Sequence, residues 1–176
     1  MNAKTTKPRS GRRRFLLGAL GIGGALVVGW GVMPPRSRLG DSSIFPEHAG
    51  EVALNGWIKI TPEGNVVLAM PHVEFGQGIY TAFAMLAAEE LDVPLSRVSL
   101  ETSPVERIYG NVVAMGDSSL PLHPDSADKT WARALHWIMA KGAREIGLII
   151  TGGSSSVADG WLAVREAAAT ARATLV

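Results

Sequence analysis

The amino-acid sequence predicts an α+β fold preceded by an apolar leader helix, and three observations lead to this prediction. A basic N-terminus is followed by 19 residues without a charge, residues 15–33. Two short β-rich runs flank a turn near residue 63, and about three later segments carry apolar residues at helical spacing. Because strands and helices do not alternate strictly along the chain, we expect an α+β arrangement.

The leader, residues 1–40, has the features of a targeting segment. The leader resembles the twin-arginine export signal, because Arg12 and Arg13 are followed by a variable residue and then by Phe15 and Leu16. It departs from that signal in one respect: a serine lies at Ser10 and not directly before the arginine pair. The uncharged run is long enough to span a membrane, while its glycines weaken it as a helix. We expect export by the twin-arginine route and a periplasmic or membrane-anchored protein that faces the periplasm. An ordinary signal anchor is the alternative, and cleavage of the leader stays open.

Charge separates this leader from the body, residues 41–176. Eight of the 17 Lys and Arg residues lie in the leader, which leaves nine against all 16 Asp and Glu residues in the body. The resulting net charge of about −7 argues against binding to a nucleic-acid backbone. The absence of Cys excludes disulfides, thiol nucleophiles and Cys-ligated iron–sulfur clusters within this chain.

The first half of the body predicts a connector, a hairpin, a helix and a strand. Residues 36–55 are polar and show no sustained periodicity. Residues 57–60 and 66–70 flank a turn that contains Pro, Gly and Asn, which is typical of a β-hairpin. Helical spacing predicts a helix from about residue 79 to residue 91, and alternation predicts a strand through Val98, Leu100 and Thr102.

The second half of the body predicts loops and two helices. Residues 103–125 are rich in Pro and Gly, and apolar residues from Trp131 onward indicate a helix that ends near Gly147. An Ala-rich helix follows from about Asp159 to the last residue. No stop signal follows Val176, so we expect the chain to be a piece of a longer protein.

Two glycine-rich loops are candidates for binding an anionic group. In the first, Gly76, Gln77 and Gly78 lie between a strand and a helix. Glycine permits a positive φ, the helix N-terminus offers unpaired N–H groups, and the Gln carboxamide both donates and accepts hydrogen bonds. A simple turn with a solvent-facing Gln would show the same pattern.

The second loop, residues 151–156, is also followed by a helix. It offers hydroxyls and a glycine pair but no Lys of a phosphate-binding P-loop. A turn whose serine caps the helix is the competing interpretation. If both loops converge, they clamp one cofactor with these residues: Thr151, Gly152, Gly153, Ser154, Ser155 and Ser156.

The remaining polar residues predict neither a metal site nor a catalytic group. The four histidines show no His-x-x-x-His or similar ligand spacing. The serines lack the nucleophile-elbow pattern and have no base nearby in sequence. The histidines concerned are His48, His72, His123 and His136.

Three segments together resemble the molybdopterin-binding large subunit of the xanthine dehydrogenase family, in the exported branch typified by the isoquinoline 1-oxidoreductase beta subunit. They are residues 55–81 with the hairpin and the Phe-Gly-Gln-Gly sequence, residues 86–93, and residues 151–161. The resemblance covers roughly residues 53–173, and it identifies residues 41–176 as an incomplete molybdopterin-binding domain.

The resemblance implies a molybdenum–molybdopterin cofactor, of which the cytosine dinucleotide is one form, and oxidation of N-heterocycles or aldehydes with water-derived oxygen. It implies as partners a small [2Fe–2S] subunit, the remainder of the large subunit and a cytochrome as one candidate electron acceptor. Gly76, Gln77 and Gly78 match the family's segment near the metal, and Thr151 with its following loop matches its polar cofactor segment. The family's catalytic Glu has no counterpart here, so we expect the chain alone to be inactive.

Two other functions stay open at this point. A free-standing exported module that binds a pterin or nucleotide without catalysis would carry the same loops. A signal-anchored interaction protein, in which both loops are turns, would carry the same leader.

Overall fold

The computed structural model describes residues 10–33, 36–116, 126 and 128–176. The chain forms two compact units, Met1–Pro34 and Pro35–Val176. The first contains helix α1, Ser10–Val32. Its stretch Arg14–Val32 is long and apolar enough to cross a membrane, a property that N-terminal signal sequences share.

The second unit is built on a four-stranded sheet in the order β1-β2-β3-β4. The first two pairs of strands are antiparallel, and β3 and β4 are parallel, with Val66 opposite Val98. The predicted hairpin and the predicted strand are therefore confirmed. The strands are β1 (Val52–Ala53), β2 (Ile58–Ile60), β3 (Val66–Met70) and β4 (Val98–Thr102).

Among the described residues of this unit four α-helices accompany the sheet, and three of them correspond to predicted helices. One short helix lies in the segment expected to be loop, whereas residues 117–125 of that segment lie outside the described residues. The last helix begins three residues before the predicted start at Asp159. The helices are α2 (Ile79–Leu91), α3 (Val112–Gly116), α4 (Thr130–Ile146) and α5 (Ser156–Leu175).

Helices α2 and α5 pack closely because small residues face the contact. A Cβ atom added at Gly160 would lie 2.1 Å from Cζ of Phe83, whose ring is fully buried. Ala163 and Ala167 continue this buried face of α5. The Ala-rich composition of the last helix therefore permits close packing, and the contact fixes the N-terminus of α5 relative to that of α2.

Residues 36–55 are part of the folded unit rather than a simple connector. Phe45 is 1% exposed and belongs to the core. Arg38 forms a 2.6 Å ion pair with Asp159 of α5, and its carbonyl accepts a 2.6 Å hydrogen bond from Trp57 Nε1. These isolated anchors have no repeat, so a search for periodicity does not detect them.

Candidate functional site

The two glycine-rich loops converge on one cavity of about 370 Å³. No charged side chain lines it among the described residues, so a ligand would meet neutral donors, acceptors and apolar groups. Its lining consists of Phe75, Gln77, Ile79, Thr151, Gly152, Gly153, Ser154, Ser156 and Val157.

The first loop, residues 74–78, closes on itself through Glu74. One oxygen of its carboxylate accepts hydrogen bonds from the N–H groups of Gly76 (2.7 Å) and Gly78 (3.0 Å). The other accepts from Tyr80 N–H at 3.1 Å. These donors lower the pKa of Glu74. The N–H groups of Gly78 and Tyr80 at the start of α2 are thus held by a carboxylate of the chain itself.

Gln77 is also held within the first loop. Its Oε1 accepts from Phe75 N–H, and its Nε2 donates to the Val73 carbonyl, both at 2.7 Å. A carboxamide has two donor hydrogens and two acceptor lone pairs. Each end of Gln77 therefore keeps one further hydrogen-bonding position while the side chain is fixed at the cavity wall.

Thr151 joins the two loops. Its hydroxyl accepts a 3.0 Å hydrogen bond from Val73 N–H and lies 3.5 Å from Nδ1 of His72. The His72 ring is buried and stands edge-on to Phe83, with ring centroids 5.5 Å apart. Burial lowers the pKa of His72 below its usual 6.5, so the imidazole is neutral at pH 7. These neutral contacts fix His72 and Val73, just before the first loop, to Thr151 at the start of the second loop.

The second loop, residues 151–156, turns sharply at Gly153 and Ser154, whose φ angles are +61° and +56°. The Ser155 side chain points into the protein, where Oγ donates to the Gly152 carbonyl at 2.6 Å. It makes no capping hydrogen bond to α5, so Ser155 does not provide the serine cap of the competing interpretation. Ser155 therefore shapes the loop and does not face the cavity.

The N-terminus of α5 opens toward the cavity without a side-chain cap. The N–H groups of Ser156, Val157 and Ala158 make no hydrogen bond within the described residues. The hydroxyls of Ser154 and Ser156 likewise make none there, although Ser156 is 9% exposed. First-turn amides carry partial positive charge, so this side of the cavity suits an anionic or strongly accepting group.

The backbone beside the glycines of the two loops is open to a ligand. A Cβ atom at Gly76, Gly78 or Gly152 would meet nothing within 4 Å, so the backbone is open to close approach. Amide and hydroxyl donors line the cavity together with the apolar side chains of Phe75 and Ile79. A pterin has apolar ring faces and polar edges, and this donor set is compatible with it.

The nine cofactor residues predicted from the sequence fall into different positions. Gln77, Thr151, Gly152, Gly153, Ser154 and Ser156 line the cavity; Gly76 and Gly78 shape its first loop, and Ser155 is turned away. Sequence reasoning missed Glu74 and His72, which contact the loops, and Asn111, whose Nδ2 donates a hydrogen bond to Ser155 Oγ. The Glu immediately before the Phe-Gly-Gln-Gly segment was a signal for the first of these, because a carboxylate near a helix start commonly accepts first-turn N–H groups.

The histidines gather no metal-binding group in the described part of the chain. No cluster of three or more His, Cys, Asp or Glu side chains suited to a metal ion occurs there. His48 lies 3.5 Å from Glu101, and His123 lies outside the described residues.

Comparisons with known proteins assign most of the chain to a family. The family model for the molybdopterin cofactor-binding domain matches residues 4–131, which include the first loop and end before the second. The chain is 34% identical over 109 residues to the beta subunit of isoquinoline 1-oxidoreductase from Brevundimonas diminuta, covering 61% of this chain and 13% of that protein. No solved structure matches the chain significantly.

Two further relatives are enzymes by name. The membrane-bound aldehyde dehydrogenase [pyrroloquinoline-quinone] of Gluconacetobacter polyoxogenes is 29% identical over 141 residues, covering 77% of this chain and 17% of that protein. Xanthine dehydrogenase of Emericella nidulans is 31% identical over 95 residues, covering 54% of this chain and 7% of that protein. The chain thus spans less than a fifth of the length of these relatives. The match over most of its residues shows that the chain belongs to the molybdopterin cofactor-binding domain family.

Proposed function

We propose that this chain supplies two cofactor-binding loops to a molybdenum hydroxylase that oxidises N-heterocycles or aldehydes with oxygen from water. The convergence of residues 74–78 and 151–156 on one cavity carries this proposal. The substrate classes follow from the names of the relatives, which include isoquinoline, xanthine and aldehyde oxidoreductases. We assign no catalytic residue to this chain.

In this proposal the chain's residues bind and orient the cofactor. Gln77 presents a fixed carboxamide, and the hydroxyls of Thr151, Ser154 and Ser156 with the first amides of α5 present donors to the polar edge of the group. Phe75 and Ile79 add apolar surface to the same cavity. When bound, the molybdenum–pterin group supplies the redox centre that accepts two electrons from the substrate.

Further partners belong to this proposal. Two relatives are named as subunits, one of isoquinoline 1-oxidoreductase and one of nicotinate dehydrogenase. We propose that the chain works with the remainder of a large subunit and with a small [2Fe–2S] subunit that carries electrons away, to a cytochrome in one arrangement. The lack of Cys is compatible with iron–sulfur clusters on a separate chain.

The test is cofactor content in a molybdopterin-producing host and in a host that cannot make the pterin. The 176-residue chain is produced alone and together with the remainder of its subunit, and molybdenum, released pterin and pyrroloquinoline quinone are measured. We expect molybdenum and pterin near one per complete protein, and little metal and no turnover for the chain alone.

Gln77→Ala sharpens this test. An unpaired buried partner costs about 1–3 kcal/mol, so we expect roughly 5- to 150-fold weaker cofactor retention in the complete protein. Equal molybdenum in both hosts, or quinone in place of molybdenum, contradicts the proposal. A chain that binds a pterin or a nucleotide stoichiometrically on its own, without turnover, would favour the free-standing binding module.

We also propose that the leader directs export by the twin-arginine route, based on Arg12 and Arg13 before Phe15 and an apolar helix. Replacement of both arginines by Lys should keep a leader-fused reporter in the cytoplasm, because the translocase reads the arginine pair while the charge stays the same. Fractionation of cells measures this. Undiminished export in a strain without that translocase would refute the route.

A further inference from the structure

Asn111 connects both ends of the second loop. It directly precedes α3 and is 1% exposed. Its N–H donates to the Leu148 carbonyl at 2.9 Å, and Nδ2 donates to the Ile150 carbonyl at 3.0 Å and to Ser155 Oγ at 2.7 Å. The residues before and after the loop turn are therefore held by one side chain.

Ser155 carries this restraint into the loop. Its hydroxyl accepts the hydrogen bond from Asn111 and donates its own proton to the Gly152 carbonyl at 2.6 Å. Its N–H donates to the same carbonyl at 3.2 Å. The position of Gly152 in the cavity wall thus depends on Asn111 through Ser155.

Asn111 is itself held from the opposite side. Its Oδ1 accepts a 2.9 Å hydrogen bond from Ala114 N–H, and the next two N–H groups, of Val112 and Val113, donate to Asp159 Oδ1. Asp159 Oδ2 forms the buried pair with Arg38, whose guanidinium also donates to the Gly110 carbonyl at 2.9 Å. The Asn111 side chain that donates to the loop is therefore itself held in place, as a supporting residue requires.

We propose that Asn111 is the positioning residue of the 151–156 loop, and that it fixes the hydroxyls and amides with which this loop meets its ligand. The identity of that ligand as a molybdopterin rests on the proposed function. The hydrogen bonds of Asn111 to the loop rest on the geometry alone.

The test replaces Asn111 by an isosteric residue that cannot donate. Asn111→Asp turns a carboxylate oxygen toward the Ile150 carbonyl and removes the donor to Ser155. Asn55→Asp is the matched control, because Asn55 is also buried and its Nδ2 donates to the Ala167 carbonyl at 2.9 Å, away from the loop. Both variants are made in the full 176-residue chain, which needs no ligand for this measurement.

Hydrogen–deuterium exchange of the peptide covering residues 148–160 is the readout, together with the thermal unfolding midpoint. We expect Asn111→Asp to speed exchange of the protected loop amides at least tenfold relative to the unaltered chain. Asn55→Asp should leave that peptide unchanged even if it lowers the midpoint as much. Equal exchange in the two variants, or no change in the peptide, overturns the positioning role.

The pH dependence adds a signature that general destabilisation does not produce. Asn111 is 1% exposed, and burial raises the pKa of a carboxyl, so we expect the new carboxyl of Asn111→Asp to take up a proton as the pH falls from 8 to 5 and to regain one donor. We expect the excess exchange of the 148–160 peptide, compared with the unaltered chain at each pH, to shrink toward acid. Excess exchange that is independent of pH would overturn the hydrogen-bond assignment.

A second variant and a second measurement separate the possible failures. If Asn111→Asp does not fold, Ser155→Ala removes the relay with a smaller change and should also speed exchange of the loop amides. In the complete, cofactor-loaded protein, Asn111→Asp should retain less molybdenum than Asn55→Asp. Faster exchange with unchanged molybdenum would refute cofactor binding by this loop and leave the positioning role intact; unchanged exchange would refute the positioning role whatever the metal content.

Discussion

The two loops of the site differ in where their hydrogen bonds go, although their sequences look alike. Residues 74–78 satisfy their amides within the loop, through Glu74 and Gln77. Residues 151–156 are held from outside by Asn111 and present an uncapped helix N-terminus to the cavity. Two Gly-rich loops before helices can therefore have different roles: the first loop forms a rigid wall of the cavity, and the second presents hydrogen-bond donors to it.

The largest expected loss of stability comes from a substitution that removes a support of the second loop and leaves the contacts of the first loop in place. Asp159→Ala leaves the Arg38 guanidinium, with its side chain 10% exposed, without its carboxylate. Removing one partner of a buried ion pair typically lowers the free energy of unfolding by about 3–5 kcal/mol. Urea denaturation measures this loss, and amide exchange should increase at residues 148–160 but not at residues 74–78.

The control for this variant is an exposed ion pair on the same helix. Arg172→Ala breaks the pair with Asp92, in which both side chains are about half exposed or more. Such pairs contribute at most about 1 kcal/mol. A loss for Asp159→Ala no larger than that of the control would contradict the buried support.

A matched pair of glycine substitutions sharpens the comparison. Gly76 has φ +99°, so Gly76→Ala should lower the free energy of unfolding by about 1–3 kcal/mol. Gly152 has open space at its Cβ position and no positive φ, so Gly152→Ala should change stability by no more than about 0.5 kcal/mol.

Cofactor retention then separates the two loops further. The added methyl group of Gly152→Ala enters the cavity wall, so molybdenum content of the complete protein should fall although stability does not. Chemical denaturation and elemental analysis measure the two properties. Full molybdenum content in Gly152→Ala would remove this residue from the binding surface.

The smallest effect concerns the pH dependence of the first loop. The folded pKa of Glu74 is lowered, so the stabilisation it gives is present above its usual value of 4.5 and is lost as the pH falls through the lowered value. We expect the amides of Gly76, Gly78 and Tyr80 to lose protection in this acid range, followed by NMR. Glu74→Gln keeps one acceptor oxygen but cannot titrate, so it should flatten this profile; an unchanged profile would assign the titration to another group.

The local elements were predictable because short-range patterns specify them. Helix α2 and strand β4 lie where apolar spacing places them, and the turn at residues 61–65 joins the predicted hairpin. The positive φ of Gly76 and Gly78 follows from the glycine itself. Helix α5 begins earlier than the sequence predicts, because Ser156 and Val157 have a weaker helical pattern than the Ala-rich run that follows them.

The sequence by itself determined the α+β class, the family resemblance and the position of the two glycine-rich loops before helices. The tertiary structure alone decided that these loops share a cavity, that Ser155 turns inward, and that Arg38 and Asn111 support the site. Arg38 and Asp159 are separated by 121 positions, and Asn111 and Ser155 by 44. Contacts between such distant residues leave no period in the sequence, because they form only when separately specified elements pack and must satisfy their buried polar groups.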